Sequence, residues 1–247
     1  MKCVVIHGSP RKGNTWEVLD LVKEEMNNNG NYEFKDIELR KENIGTCIGC
    51  FNCIFKGENM CPHKESMSKI IKEIDSSDAF IITTPVYSMQ VSGILKNFID
   101  HMSFNFHRPR YFTKKALVIV TTAGGGHTDT ANYIKSVLHY WGVNRVNTLP
   151  IAYRSFELTD KNRDKVLKGA RDFALELNSG KLHKPSTKSV IMYNMWKCMS
   201  KEKYKDGSAD YDYWKNPVFA DNVFAPEVPI GFFNKTLGKV VCKVMKK

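Results

Sequence analysis

The chain has 247 residues, a formal net charge of +11 and 42% hydrophobic residues: enough apolar material for one large domain or a domain with an appendage, and too much for global disorder. No apolar run approaches the ~18 residues of a membrane span, and Met1-Lys2-Cys3-Val4-Val5-Ile6 runs straight into an apolar segment instead of a signal peptide. Lysines and arginines are spread along the chain instead of forming a nucleic-acid footprint, so a cytoplasmic protein with no membrane span and no nucleic-acid partner is expected.

In chain order, residues 2–7 read as a short apolar strand. From Thr15, Val18, Leu19, Val22 and Met26 mark one face of a helix, which Asn27-Asn28-Asn29-Gly30 should end with Gly30 as its C-cap. Residues 32–39 alternate as a strand, and residues 41–63 read as irregular and hold four cysteines. Met67, Ile70, Ile71 and Ile74 mark a second helix. Ala79-Phe80-Ile81-Ile82 is a buried strand ending at Thr83-Thr84-Pro85. Ile94, Leu95, Phe98, Ile99 and Met102 mark a third helix. Residues 115–122 form a strand ending in Ala123-Gly124-Gly125-Gly126, followed by a helix near 129–141 and a strand near 145–151. The helix after Thr159 turns Val166, Leu167, Ala170, Phe173, Ala174 and Leu177 inward. Strands alternating with helices imply parallel pairing through helical crossovers. The expected fold is α/β, a doubly wound five-stranded parallel sheet over residues 1–180, with 181–247 as a C-terminal extension packing on the domain or on a dimer mate. That extension should have no core of its own.

In such sheets ligands bind beyond the carboxyl ends of the strands. The first loop there, Gly8-Ser9-Pro10-Arg11-Lys12-Gly13-Asn14-Thr15, matches a triphosphate loop except that Asn14 stands where the lysine belongs. Without that lysine a triphosphate loses its main charge partner. The helix N-terminus still favours a dianion, and Ser9, Asn14 and Thr15 can donate hydrogen bonds with Arg11 adding charge. That inventory suits a phosphate monoester without a metal. The competing reading is an ordinary strand–helix turn capped by Asn14 or Thr15.

This loop resembles the FMN phosphate loop of the flavodoxin-like NAD(P)H-dependent FMN reductases. Thr84-Pro85-Val86-Tyr87-Ser88-Met89, with Ser92-Gly93 and Leu95-Lys96-Asn97-Phe98-Ile99-Asp100 after it, resembles the family's second cofactor segment, and Thr121-Thr122-Ala123-Gly124-Gly125-Gly126 its third. The resemblance implies FMN held by Ser9, Arg11, Lys12, Asn14, Thr15, by Pro85, Val86, Tyr87, Ser88, Met89, and by Thr122, Ala123, Gly124, Gly125, Gly126. N–H groups of 86–89 and 123–125 would bond the flavin edge, and Tyr87 and Met89 would pack on the ring. It further implies NAD(P)H as hydride donor to the flavin, no side-chain acid or base, and a homodimer. His101 departs from the family pattern, which often has arginine there.

Cys47-x2-Cys50-x2-Cys53-x7-Cys61-Pro62 resembles the compact cysteine motif of the iron–sulfur flavoproteins, which implies a [4Fe–4S] cluster on those four thiolates. Zinc with His63 as a ligand and free or redox-active thiols are the other readings. Arg108 and Arg110 are candidates for the NADPH phosphates, with a dimer-interface loop as the favoured alternative. The C-terminal helix should cover the protein's own apolar surface with Phe233, Leu237, Val240, Val241 and Val244. The expected function is an FMN-dependent oxidoreductase that passes electrons from NAD(P)H to a quinone, nitro compound, metal ion or protein. The alternatives are an iron–sulfur flavoprotein carrier loaded by ferredoxin and a non-enzymatic flavin-binding carrier or redox sensor.

Overall fold

A computed structural model describes residues 1–153, 157–202 and 207–245. Five strands, β1 (Lys2–His7), β2 (Glu33–Glu38), β3 (Ala79–Pro85), β4 (Lys115–Thr122) and β5 (Arg145–Ala152), form one parallel sheet in the order β2-β1-β3-β4-β5. The helices between them are α1 (Asn14–Asn28), α2 (Asn52–Phe55), α3 (Lys64–Asp75), α4 (Gly93–His101), α5 (Phe104–His107) and α6 (His127–Tyr140); α7 (Asp160–Asn178) follows β5.

The period-two pattern of the strands divides the core. Val4, Ile6, Phe80, Ile82, Val118 and Val120 pack with α3, α4 and α6, whereas Cys3, Val5, Ile81, Leu117, Ile119 and Ile151 pack with α1 and α7. Helices therefore cover both faces, as continuous apolar strands require. Phe98 is fully buried against Trp141, and truncating such a ring costs roughly 3–5 kcal/mol. Burial pushes the Cys3 thiol up to about 12, which makes it inert packing.

Several expectations need correction. Asn29 is the C-cap of α1, and Gly30 has no left-handed φ; Gly30 is glycine because a Cβ there would lie 2.6 Å from the Tyr32 ring. The 41–63 stretch contains α2 and a 3-10 turn at Glu58–Met60. Helix α6 begins at His127, two residues early. Ile71 and Leu167 are only half-buried.

The segment after α7 folds into α8 (Thr187–Glu202), α9 (Ala209–Lys215), α10 (Pro217–Ala220) and α11 (Phe232–Met245). It does gather an apolar cluster, in which Val190, Tyr193, Trp214, Phe224, Ala225 and Val228 close around Phe112 of the sheet domain. Trp214 Nε1 donates to His107 O at 2.9 Å, and Tyr213 OH donates to Pro109 O. Helix α11 packs on α8 with buried Gly238, where a Cβ would lie 2.9 Å from Asn194 Nδ2. Of the face expected to cover the protein's own surface, Leu237 and Val241 are half-buried, whereas Phe233, Val240 and Val244 are exposed. The Cys242 side chain lies outside the described residues. No described helix is long and apolar enough to cross a membrane.

At the amino end of β4, buried Lys115 reaches Glu176 of α7 at 2.7 Å, and His183 Nε2 lies 2.9 Å from the same oxygen. Burial alone would raise the Glu176 pKa, but hydrogen bonds and charge from Lys115 and His183 outweigh it and hold the carboxyl below its ordinary 4.5. A carboxyl depressed by folding adds stability above its unfolded pKa and loses it as pH falls through the folded value. Thermal melts should therefore show Tm dropping as pH falls below 4.5. Glu176→Gln should flatten that part of the profile and lower Tm at neutral pH; an unchanged acid slope in the variant would contradict the pairing.

Candidate functional site

The carboxyl ends of β1, β3 and β4 surround a cavity of about 390 Å³. Ser9, Arg11, Lys12, Asn14 and Thr15 line it from the first loop, Pro85, Val86 and Tyr87 from the second, and Thr122 and Ala123 from the third. No acid is among the lining residues. Gly8 brings the first loop hard against β3 and α4: its N–H donates to Thr83 O at 2.8 Å, and a Cβ there would sit 2.7 Å from that oxygen. Ser92 Oγ donates to Gly8 O.

Helix α1 starts without a side-chain cap, on Gly13, so neither Asn14 nor Thr15 caps it. Trp16 and Glu17 donate to Gly13 O, and no hydrogen bond among the described residues uses the N–H of Asn14 or Thr15. These are orphan donors at the positive end of a 15-residue helix. Two expected donors are engaged elsewhere. Ser9 Oγ donates to Arg11 O at 2.7 Å, and Thr15 Oγ1 pairs with Thr121 Oγ1 at 2.6 Å, tying the loop to β4. Arg11 and Lys12 are exposed at the mouth, with Lys12 Nζ 4.7 Å over the Trp16 ring. Trp16 in turn stacks at 3.8 Å on buried His7, whose Nε2 lies 2.7 Å from Asp36 Oδ1.

The second loop is a tight hairpin. Tyr87 N–H donates to Gln90 O at 2.8 Å and Gln90 N–H to Tyr87 O at 2.9 Å, with Ser88 and Met89 both left-handed at φ 47° and 66°. Val86 N–H goes to Thr121 O and Gly124 N–H to Thr122 Oγ1, so three of the N–H groups expected to bond a flavin are already used. Among the described residues no hydrogen bond takes the N–H of Ser88, Met89, Ala123 or Gly125. Tyr87 is 42% exposed and Met89 60%, so neither is a core side chain. Ser88, Met89, Gly124, Gly125 and Gly126 lie beyond the cavity lining. Gly126 is left-handed, and a Cβ on it would lie 3.2 Å from Met89 Cα, whereas Gly124 and Gly125 face open space. Sequence reasoning missed Tyr153, just past β5. It lines the same cavity, fully buried, with the Glu17 carboxylate of α1 beside its hydroxyl. Its one signal was an aromatic residue at a strand's carboxyl end.

Helix α4 carries the link to the cysteines. Asn97 Oδ1 accepts from Cys47 N–H at 2.9 Å, and its Nδ2 donates to Gly45 O at 3.1 Å. His101 is buried, with Nε2 2.8 Å from Gly45 O and Nδ1 3.7 Å from Cys61 Sγ. From α4 it thus contacts the cysteine loop at both Gly45 and Cys61. Gly45 must be glycine because a Cβ would lie 2.2 Å from the His63 ring. Cys47, Cys50, Cys53, Cys61 and His63 all line one cavity of about 510 Å³, closed on its far side by Phe106, His107 and Trp196. Gly49, Phe51 and Gly57 turn left-handed to wrap it. Burial raises the Cys53 thiol pKa. Among the described residues no three His, Cys, Asp or Glu side chains converge as ligands of a single ion.

Arg108 and Arg110 are not free for a nucleotide phosphate. The Arg108 guanidinium is buried; it donates to Cys53 O at 2.6 Å and Ile54 O at 3.0 Å and pairs with Glu58 at 3.1 Å and with Asp210 of α9. His107 Nδ1 lies 2.7 Å from the same Asp210. Arg110 pairs with Glu58 at 3.3 Å and lies 4.8 Å over the Phe104 ring.

The family model described as NADPH-dependent FMN reductase matches residues 1–155. An iron–sulfur flavoprotein of Archaeoglobus fulgidus is 31% identical over 227 residues, 89% of this chain and 100% of that protein. One of Clostridioides difficile is 30% identical over 190 residues, 70% of this chain and 78% of that protein. A solved NADH:FMN oxidoreductase, in its apo form, superimposes with a TM-score of 0.53 at 20% identity, covering 71% of this chain and 89% of that one, a likeness of fold alone. With the phosphate loop and the first residues of the second and third segments lining one cavity, the chain belongs to the NADPH-dependent FMN reductase and iron–sulfur flavoprotein family, and is an FMN-dependent, NAD(P)H-linked oxidoreductase.

Proposed function

We propose that this chain takes hydride from NAD(P)H and passes electrons through a [4Fe–4S] group on Cys47, Cys50, Cys53 and Cys61 to an outside acceptor, a quinone, nitro compound, metal ion or protein. The observation that carries the reading is the pair of cavities at the carboxyl end of one sheet: one with orphan helix donors and no acid, the other lined by four thiols. FMN in the first supplies the conversion between a hydride and single electrons. An iron–sulfur cluster in the second supplies one-electron transfer. The N–H groups of Asn14 and Thr15, with Arg11, bind the phosphate dianion. Those of Ala123 and Gly125, and the exposed hairpin at Ser88 and Met89, are the donors left for the ring. Four thiols in one short loop lining one cavity suit a cubane with one thiolate per iron, the arrangement that compact C-x2-C-x2-C runs supply. We further propose a cytoplasmic homodimer, with 1–180 as the FMN-binding domain and 181–247 as the extension.

A second reading, loading by ferredoxin, is favoured by the exposed apolar side chains Ile48, Phe51 and Phe55 on the cysteine loop, which suit a protein donor, and by the engagement of Arg108 and Arg110. Anaerobic mixing decides between them. NADH or NADPH should bleach the FMN-loaded protein at rates comparable to turnover; reduction by ferredoxin and by neither nucleotide would replace the main reading. Iron and sulfide analysis of anaerobically prepared protein tests the cysteine assignment. Each Cys→Ser change should lower iron while FMN stays bound, and wild type without iron would rule the cluster out.

FMN should bind at least about a hundredfold more tightly than riboflavin, since two charge-assisted hydrogen bonds at ~1.5 kcal/mol each are worth ~3 kcal/mol. ATP with magnesium should not compete. Equal affinity for riboflavin in a fluorescence titration would sink the phosphate assignment.

Asp210→Ala removes the carboxylate from a buried arginine. It should cost about 3 kcal/mol of stability by denaturant unfolding. It should also open residues 41–63 to protease before the sheet is cut. Protection of that loop in the variant equal to wild type would show that α9 does not hold it.

A further inference from the structure

Between the sheet and α8 lies a third cavity of about 140 Å³, which shares only Phe106 and Trp196 with the cysteine cavity. Its floor is aromatic: Phe112, Tyr193 and Phe224 are buried, and Phe106, Tyr140 and Trp196 complete the wall. A cavity near this size holds about one benzene-sized ring. Among the described residues, two polar atoms of the wall have no partner. Tyr193 is 2% exposed with its hydroxyl unpartnered, and the indole N–H of Trp196 is buried without a partner. A polar group buried without a partner destabilises the fold, and a ligand that pairs with it removes that penalty.

The mouth has the opposite character. It carries Lys188, whose Nζ lies 5.3 Å over the Tyr140 ring, and opens into an adjoining cavity of about 190 Å³. The two share His139, Gly142, Ser186, Ser189 and Phe224, and the adjoining one adds Lys135, Arg145 and Lys184. Among the described residues no Asp or Glu lines either. The carboxylate beside the wall residue His183 is Glu176, already paired with Lys115. Helix α8 starts at this mouth with Thr187, so the positive end of its dipole adds to the lysines.

We propose that the paired cavities bind one small aromatic anion, a single ring in the aromatic chamber and a phosphate or carboxylate among the lysines. The chamber shares Phe106 and Trp196 with the cysteine cavity, and Trp196 stacks at 3.8 Å on His107, which lines that cavity too. A bound ring would rest on the indole that closes the thiol cavity, which makes the ligand a candidate effector of the cysteine loop.

The test is calorimetric titration of FMN-saturated protein, in which the phosphate loop is already filled, with phenyl phosphate, inorganic phosphate and benzyl alcohol. Phenyl phosphate should bind saturably, about tenfold or more tighter than either fragment. The exposed double change Lys184→Glu with Lys188→Glu should weaken phenyl phosphate about tenfold and leave benzyl alcohol unchanged. Met192→Trp, which fills the chamber, should abolish binding of both. No saturable heat with phenyl phosphate, equal affinity for inorganic phosphate, or full affinity retained in the double variant would overturn the proposal. The surface changes keep it falsifiable if the chamber variant does not fold.

Discussion

One buried cation organises the functional half of this molecule. Arg108 is withdrawn from water, and an arginine cannot shed its charge, so every donor must meet an acceptor or the site destabilises the fold. The acceptors come from three places: the carbonyls of Cys53 and Ile54, Glu58 beyond them, and Asp210 from the C-terminal segment. The cysteine loop, the turn after α4 and the extension are therefore joined through one planar group. The same Asp210 contacts His107 Nδ1, so its carboxylate holds one side chain that lines the thiol cavity and one that grips the loop's carbonyls. An extension that looked like a coat over the domain is a structural partner of the cysteine loop.

The sheet supplies the other constraint. Parallel strands present all their carboxyl ends on one edge, and the loops leaving β1, β2, β3 and β4 must crowd there. The crowding explains why Gly8 tolerates no side chain between β3 and α4, and why Thr15 can reach Thr121 across the sheet. It also brings the cysteine loop, which leaves β2, against α4, which leaves β3. Asn97 and His101 then serve as its hydrogen-bonding floor.

The fold was legible because β1, β3 and β4 are apolar runs, β2 shows alternation and the helices keep a 3.6-residue period; the strands and α1, α3, α4, α6 and α7 follow from that. The phosphate loop was legible from the glycines and the missing lysine. What escaped has a common physical cause: it depends on which donors meet which acceptors in space. Ser9 and Thr15 carry hydroxyls that read as free donors, yet one closes its own loop and the other bonds β4. Arg108 and Arg110 left a nucleotide phosphate or a dimer-interface loop open because a run of sequence does not show Glu58 or Asp210 beside them. Asp210 lies 102 residues from Arg108, in a segment without strand or strong helix pattern. The exposed face of α11 escaped for a related reason. Gly238 fixes the close approach to α8, and Phe233, Val240 and Val244 of the apolar stripe that seemed destined for burial are turned away by it.

The hairpin at Tyr87–Gln90 shows where local rules and the site part company. A two-residue turn with both central residues left-handed favours Asn-Gly, because a Cβ in that conformation costs about 1–2 kcal/mol per residue. This chain places Ser88 and Met89 there. Gly126 packs beneath Met89, where a side chain would begin only 3.2 Å from the Met89 Cα, so the third loop has yielded its own side chain to let the hairpin lie close. Thr130 Oγ1 then donates to Met89 O at 3.4 Å and holds it from α6. A glycine pair would relax the strain but remove both side chains from the edge of the cavity. The strain is thus the cost of presenting a hydroxyl, an apolar side chain and two unbonded N–H groups together at the carboxyl end of β3.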